Sequence, residues 1–136
     1  MRTYNLFISH SWTYGDEYER LVNLLRTRPY FVFRDSSVPK NDPLHTNGTD
    51  RQLYNAIKNK ISPSSAVLIL AGVYSTYSKW IDKEIQIAQE GFYAPKPIIA
   101  IEPWGSERTS VTVKDVADKV VKWNTDSIVS AIREVA

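Results

Sequence analysis

AVLILA at residues 66–71 is the stretch that decides the fold, because it is the most apolar run in the chain. A short run of this kind, partly β-branched, is typical of a central parallel strand that is covered on both faces. The flanking sequence should therefore supply further parallel strands and the helices that cover them.

Before this run, the sequence predicts two strands and two helices. Residues 4–9 (YNLFIS) are largely apolar and predict a first strand inside the sheet, and residues 30–33 (YFVF) predict a second. The helix between them begins at Asp16, with Glu19 in a box-like start, and ends near Arg28 before Pro29. After a long loop over residues 34–48, Thr49 and Gln52 form a capping box for the next helix.

After the run, residues 78–91 predict a helix, with Ser78 as N-cap and Gly91 as C-cap. Residues 97–101 (PIIAI) predict a fourth strand. Residues 109–118 leave the choice between a short strand and an irregular helix open, and residues 119–123 (KVVKW) predict a short edge strand. Asn124 is expected to cap a closing helix, whose inward-facing residues are Ile128, Val129, Ala131 and Ile132.

Strand and helix alternate through the whole chain, so we predict a single domain over residues 1–136 with an open parallel sheet and helices on both faces. Ligands of such sheets bind at the carboxyl ends of the strands. This rule indicates the loops that follow Ser9, Phe33, Ala71 and Ile101.

One carboxylate breaks the pattern of the helix after the central strand, STYSKWIDKEIQIAQEGF at residues 75–92. The apolar stripe of that helix consists of Ile81, Ile85, Ala88 and Phe92. Glu84 lies on the shoulder of this stripe, one turn after Trp80, where we expect a half-buried rim. The ordinary explanations are that Glu84 pairs with Lys83 or Arg34, or is solvated, and that Trp80 only packs.

Composition excludes several classes of function. The 136 residues include 17 basic and 15 acidic ones, which gives a formal charge of +2 and no polybasic surface for nucleic acid. The absence of cysteine excludes thiolate chemistry, and two histidines, His10 and His45, do not make a convincing zinc site. No segment approaches the length of a membrane span, so we predict a cytoplasmic protein without metal, nucleic-acid or membrane partners.

Five segments of the chain, taken in their order along the sequence, resemble the TIR domain family, and more narrowly the small bacterial TIR-like proteins of the Thoeris anti-phage defence. The closest match is KWIDKEI at residues 79–85, which has the Trp-x-x-x-Glu spacing of TIR domains that cleave NAD. The other segments are YNLFISHSW (4–12), FVFRD (31–35), AVLILAGVYSTYSKW (66–80) and KVVKWNTDSIVSAI (119–132).

The resemblance implies a flavodoxin-like fold, an α/β three-layer sandwich with a five-stranded parallel sheet in the order 2-1-3-4-5. It also implies a cleft for NAD+, which would be a substrate, with no further cofactor. By motif, Glu84 matches the catalytic glutamate. The expected substrate-binding residues are Ser9, His10, Ser11, Trp12, Phe33, Asp35 and Trp80. Expected partners are a second copy of the chain or an effector protein of the same pathway.

A lone glutamate is chemically sufficient for cleavage of the bond between nicotinamide and ribose. Nicotinamide is cationic while it is bound to the ribose and neutral once it has left. The second carboxylic acid, which protonates the leaving group in ordinary glycosidases, is therefore not needed. An ionised carboxylate then stabilises the oxocarbenium-like ribosyl centre. Capture by water gives ADP-ribose and capture within the substrate gives a cyclic isomer, a choice that the sequence leaves open.

Two other classes of function compete with an enzyme. A non-catalytic TIR-like module would signal by self-association or partner binding, through the loop at residues 34–48 and through Tyr74 and Tyr77. A receiver domain is weaker, because it would require paired acidic residues after the first strand and an Asp at the end of the third. The chain has Ser9 and His10, and Ala71 and Gly72, at those positions.

Overall fold

A computed structural model describes residues 3–9, 17–36, 50–70, 79–102 and 111–136. Within these ranges, strands and helices alternate along the chain. The strands are β1 (Thr3–Ser9), β2 (Val32–Asp35), β3 (Ala66–Leu70), β4 (Ile98–Ile101) and β5 (Lys119–Val121). The helices are α1 (Glu17–Arg26), α2 (Asp50–Ile61), α3 (Lys79–Glu90), α4 (Val111–Val116) and α5 (Thr125–Val135).

All five strands are parallel and their order in the sheet is β2-β1-β3-β4-β5, which confirms the predicted flavodoxin-like α/β fold. The chain moves outward from β1 to β2, then returns past β1 to β3 and continues to β5. Because crossovers between parallel strands are right-handed, this reversal places α1 on one face and α2, α3 and α4 on the other. No strand follows α5 within the described residues, and this helix packs on the same face as α1.

Each face of the sheet has its own buried core. The first core, under α1 and α5, contains Leu6, Ile8, Leu21, Leu25, Leu68, Ile99, Ile128 and Ile132, among others. The second core, under α2, α3 and α4, contains Phe7, Ile57, Ile61, Val67, Ile69, Ile85, Ile87, Ile98 and Val113, among others.

The central strand β3 contributes to both cores. Leu68 belongs to the first core, whereas Val67 and Ile69 belong to the second, and all three side chains are fully buried. Successive side chains of a strand point to opposite faces, so a strand that is covered on both sides has no polar position. The prediction from AVLILA is confirmed for residues 66–70, and Ala71 lies outside the described residues.

The second strand differs from its prediction. It comprises Val32–Asp35, not residues 30–33, because Tyr30 has a φ of 60°, which no strand accommodates. The strand instead begins after this left-handed turn, with Val32 opposite Thr3, and extends to Asp35 opposite Leu6. Arg34 and Asp35, which were expected in the loop, therefore belong to the sheet.

The end of the chain follows the prediction more closely. The undecided segment at residues 109–118 contains the short helix α4, and β5 is shorter than the predicted strand at residues 119–123. Asn124 caps α5 as expected, since its Oδ1 accepts from the backbone N–H of Ser127 at 3.1 Å. The four residues expected to face inward, Ile128, Val129, Ala131 and Ile132, are buried.

Helix α5 is tied to the turn that precedes β2. The Arg133 guanidinium donates to the carbonyl oxygen of Tyr30 at 2.9 Å and lies 5.9 Å from the centre of the Phe31 ring. Arg28, after α1, forms an ion pair with Asp126 of α5. These contacts fix α5 beside α1 over the first core.

The last turn of α3 is held on the side of the sheet where the amino ends of the strands lie. The backbone N–H of Gly91 donates to Ile87 at 2.7 Å, and that of Lys96 donates to Ala88 at 2.8 Å. The Lys96 ammonium also lies 4.9 Å from the centre of the Phe92 ring, and Lys58 of α2 lies 5.5 Å from it. Helix α3 is therefore anchored at its last turn to the connection that follows it.

Within the described ranges, no helix has both the length and the apolar character needed to cross a lipid bilayer.

Candidate functional site

The carboxyl ends of the strands form one edge of the sheet, where proteins of this architecture bind their ligands and which we call the ligand edge. Ser9 at the end of β1 is level with Ile69, and Leu70 at the end of β3 is level with Ile101. Strand β2 ends lower, because Asp35 is opposite Leu6, three residues before the end of β1. At about 3.3 Å per residue, Asp35 lies roughly 10 Å below the level of Ser9.

Glu84 is a buried carboxylate in the first half of α3. It is the sixth residue of the helix, which places it roughly 7 Å along the axis from Lys79. Side chains of a helix lean toward its N-terminus, so the Glu84 carboxylate leans toward the ligand edge. The residue is only 5% exposed and its Oε2 atom has less than 1 Å² of accessible surface.

This burial corrects the expected half-buried rim position of Glu84. The neighbouring residues on the helix, Ile85, Ile87 and Ala88, are all buried in the second core. Helix α3 also packs against α2, so its flank is covered by a helix as well as by the sheet. The apolar stripe of α3 is therefore wider than the sequence pattern indicates, and it encloses Glu84.

The other predicted site residues are described only in part. The backbones of Ser9 and Trp80 belong to β1 and α3, and their side chains lie outside the described part of the structure. His10, Ser11 and Trp12 also lie outside the described residues, as do Tyr74, Tyr77 and most of the loop at residues 34–48. The predicted contacts of these residues with substrate or partner stay predictions.

Phe33 and Asp35 are not brought together with Glu84. The half-buried Phe33 ring packs against the first core and stacks on Phe31 with a centroid separation of 5.9 Å. Strand alternation puts Asp35 on the same face as Phe33. Glu84 belongs to a helix on the opposite face, so the structure separates these residues by the thickness of the sheet. A role for Phe33 or Asp35 in substrate binding stays a prediction.

A charged cluster of Glu102, Lys114 and Lys122 lies at the ligand edge and was not predicted from the sequence. Glu102 follows β4 directly, and its carboxylate accepts from Lys122 at 3.1 Å and pairs with Lys114 of α4 at 3.4 Å. Its backbone N–H donates to the Val121 carbonyl at 2.8 Å. Glu102 thus joins β4, β5 and α4 at the edge that carries the candidate site. The available signal was a charged residue immediately after the apolar PIIAI strand.

The two lysines lower the pKa of Glu102. The hydrogen bond from Lys122 is the largest cause, and the positive charges of Lys122 and Lys114 act in the same direction. Partial desolvation opposes them but is outweighed, so the pKa lies below the ordinary value of 4.5. Glu102 is therefore ionised at neutral pH and is suited to holding cations, not to donating a proton.

Comparison with known proteins gives one family. The model of the TIR-like domain of the Thoeris protein ThsB matches residues 7–108, which is three quarters of the chain. No protein with curated annotation matches. The matched range includes the last three residues of β1, the whole of α3 with Glu84, and β4, and the sheet order is the one that a TIR-like fold requires. The chain belongs to the TIR-like domain family of the Thoeris protein ThsB.

Proposed function

We propose that this TIR-like protein cleaves the bond between nicotinamide and ribose in NAD+, as part of anti-phage signalling. The observation that carries the proposal is Glu84, a buried carboxylate on the helix that follows the central strand, in the Trp-x-x-x-Glu spacing of NAD-cleaving TIR domains. Membership of the Thoeris family supports the signalling role.

The chemistry requires one ionised carboxylate in a place with little water. As the C–N bond breaks, its electron pair leaves with nicotinamide, which departs as a neutral base, and positive charge develops on the ribosyl carbon. Glu84 stabilises that charge electrostatically, and its interaction is strong because its surroundings exclude water. Attack by water, which gives up a proton, yields ADP-ribose; attack by a nucleophile of the same molecule yields a cyclic isomer.

The decisive experiment compares two substitutions on the same helix. Purified wild-type protein, Glu84→Gln and Glu90→Gln are incubated with NAD+, and the products are resolved by chromatography. Both substitutions remove one negative charge without changing the size of the side chain, but Glu90 is exposed. We expect Glu84→Gln to lower turnover by roughly 10²–10³-fold and Glu90→Gln to leave it unchanged. Equal turnover in wild type and Glu84→Gln would exclude the assignment.

The partners follow from the chemistry as proposals. NAD+ is the substrate, and a nucleotide product would act on an effector protein of the same pathway, with self-association of this chain as a further expectation. Sedimentation of wild type and Glu84→Gln separates catalysis from assembly. A catalytic role predicts the same sedimentation for both proteins, because the carboxylate is buried within the protomer and the substitution leaves the surface of the protein almost unchanged.

A further inference from the structure

We propose that the surface around Tyr93, on the side of the sheet opposite the ligand edge, is a docking site for an acidic segment of a partner protein. We call it the Tyr93 surface, and it consists of Lys58, Pro63, Phe92, Tyr93, Pro95 and Lys96. The inference goes beyond the proposed function, because none of these residues belongs to the candidate site at Glu84.

The Tyr93 surface is built from connections that lead from a helix into the next strand. In a parallel sheet these connections lie where the strands begin, and all four belong to the described residues, at 27–31, 62–65, 91–97 and 117–118. Glu84 lies six residues before the end of α3, which is roughly 9 Å along the axis, and its side chain leans the other way. A partner on the Tyr93 surface therefore leaves the ligand edge free.

The apolar part of the Tyr93 surface is contiguous and open to water. The Tyr93 side chain is 107% exposed, and the two residues that follow it, Ala94 and Pro95, are exposed as well. Single exposed apolar residues are common on protein surfaces and need no explanation. An uncharged exposed run that begins with a tyrosine is different, because tyrosine is among the residues that anchor protein interfaces.

The connection that carries Tyr93 is held in one conformation. Besides the backbone hydrogen bonds of Gly91 and Lys96, the Lys96 ammonium donates to the carbonyl oxygens of Ser62 at 3.1 Å and Ser64 at 2.8 Å. The exposed Pro63 lies between these two serines and therefore adjoins the same connection. A surface that is already ordered loses little conformational entropy when a partner binds.

The positive charge of the Tyr93 surface is not neutralised by the described part of the chain. The ammonium groups of Lys58 and Lys96 lie 5.5 Å and 4.9 Å from the centre of the Phe92 ring. Neither lysine forms an ion pair with a described carboxylate, the neighbouring Glu90 included. The carbonyl partners of Lys96 are neutral, and the C-terminus of α2 supplies only about half a negative charge. The surface therefore attracts carboxylates.

A protein segment fits the Tyr93 surface better than a small anion or a nucleic acid. Sites for small molecules are concave, whereas the fully exposed Tyr93 protrudes from its connection. Nucleic acids are held by a row of cations, whereas this surface offers two ammonium groups beside uncharged residues. An aromatic anchor with charged groups around it is the usual anatomy of a protein interface. The expected segment covers Tyr93 with an apolar side chain and pairs carboxylates with Lys58 and Lys96.

The test uses a short peptide that repeats Glu-Glu-Leu and a matched neutral peptide that repeats Gln-Gln-Leu. Backbone amide NMR shifts of the whole chain report where each peptide binds and how tightly, at low and at physiological salt. The variants are Tyr93→Ala and Lys58→Gln. Lys96 is kept, because its hydrogen bonds hold the connection in place.

Each variant has a matched control. Tyr30→Ala removes another exposed tyrosine from the same side of the sheet, before β2, which is three strand spacings or about 14 Å from β4. Lys60→Gln removes the same charge from the last turn of α2, but two positions further on and therefore from the opposite side of that helix. Urea unfolding shows that each variant is folded, and Tyr93→Ser and Lys58→Ala replace a variant that is not.

We expect the acidic peptide to shift the amides of residues 91–97 and to bind at least tenfold more tightly than the neutral peptide, with an affinity that falls as salt is added. Tyr93→Ala should weaken binding by at least fivefold and Lys58→Gln by about threefold. The two controls should change it by less than twofold.

Equal binding of the two peptides, shifts confined to other residues, or equal effects of the variants and their controls would overturn the inference. Inorganic pyrophosphate or a single-stranded oligonucleotide that binds at residues 91–97 as tightly as the acidic peptide would also overturn it, since a small anion or a nucleic acid would then be the occupant. Shifts of these amides with protein concentration alone would identify a second copy of the chain as the occupant instead.

Discussion

Gly91, the residue after α3, leaves no room for a side chain, and Gly91→Ala measures how closely that end is packed. A Cβ at this position would lie 2.7 Å from the Ile87 carbonyl oxygen, 3.0 Å from the Tyr54 hydroxyl and 3.1 Å from Ile87 Cγ2. The nearest contact is with backbone, which cannot rotate away, so the helix end must shift. Overpacking of this kind costs about 1–3 kcal/mol.

The net loss is somewhat smaller, because alanine also restricts the unfolded chain and recovers about 0.4–1 kcal/mol. We expect Gly91→Ala to lower the free energy of unfolding by about 1–2 kcal/mol, which corresponds to a Tm lower by roughly 3–10 °C for a chain of this size. Urea unfolding and calorimetry measure both, with the exposed neighbour Glu90→Ala as control.

A second substitution identifies the origin of the loss. Tyr54→Phe in the Gly91→Ala background removes the contact with the hydroxyl but leaves the Ile87 carbonyl in place, so it should recover less than half of the lost stability. Gly91→Ala that is as stable as the wild type would refute the reasoning, since the packing distances would then have no energetic consequence.

The remaining predictions concern stability away from α3. Glu102→Gln should destabilise by at most about 1 kcal/mol at pH 7, and because the pKa of Glu102 is lowered in the folded protein, this contribution is complete above the ordinary value of 4.5 and is lost as the pH falls from there through the lowered pKa; urea titrations at a series of pH values from 7 downward measure this, and a difference from wild type that does not shrink as the pH falls contradicts it. Tyr30→Gly should be more stable than Tyr30→Ala by about 1 kcal/mol, because glycine accepts a φ of 60° without strain; equal urea midpoints would show that the turn is unstrained. Asp118→Ala should lose about 1 kcal/mol and Asp118→Asn less, because Oδ2 of Asp118 accepts from Ile98 N–H at 2.8 Å and the amide oxygen of asparagine keeps that acceptor; equal Tm values for the two variants would argue against it.

The sequence predicts the fold where packing on both sides leaves a strong pattern. The run at residues 66–70 has no polar position, and that can only mean a strand or helix buried all round, which the short length decides in favour of a strand. The sequence predicts the closing helix equally clearly, because the N-cap residue Asn124 and the apolar residues after it indicate the same helix. The predicted position of β2 was wrong because the aromatic Tyr30 favours a strand and the polar Asp35 favours a loop. In the structure the positive φ of Tyr30 excludes it from the strand, and Asp35 is the last residue of β2.

The depth at which Glu84 is buried was not predicted from the sequence. Helical periodicity indicates which way Glu84 points, yet the width of the buried stripe depends on α2 packing along the flank of α3, which no local pattern contains. Glu102 was missed for a related reason. Its partners Lys114 and Lys122 are distant in sequence, and they meet only because β4, β5 and α4 converge at one edge.

The attachment of α5 to the turn before β2 has a consequence for biosynthesis. Arg133 binds Tyr30 and Arg28 binds Asp126, contacts that span 103 and 98 positions of sequence. Helix α5 can therefore cover the first core only after residues 126–133 have left the ribosome, although most of the strands in that core are synthesised much earlier. Until then Leu6, Leu21 and Leu25 lack their cover, so we expect the nascent chain to depend on chaperones and to commit to its native topology late.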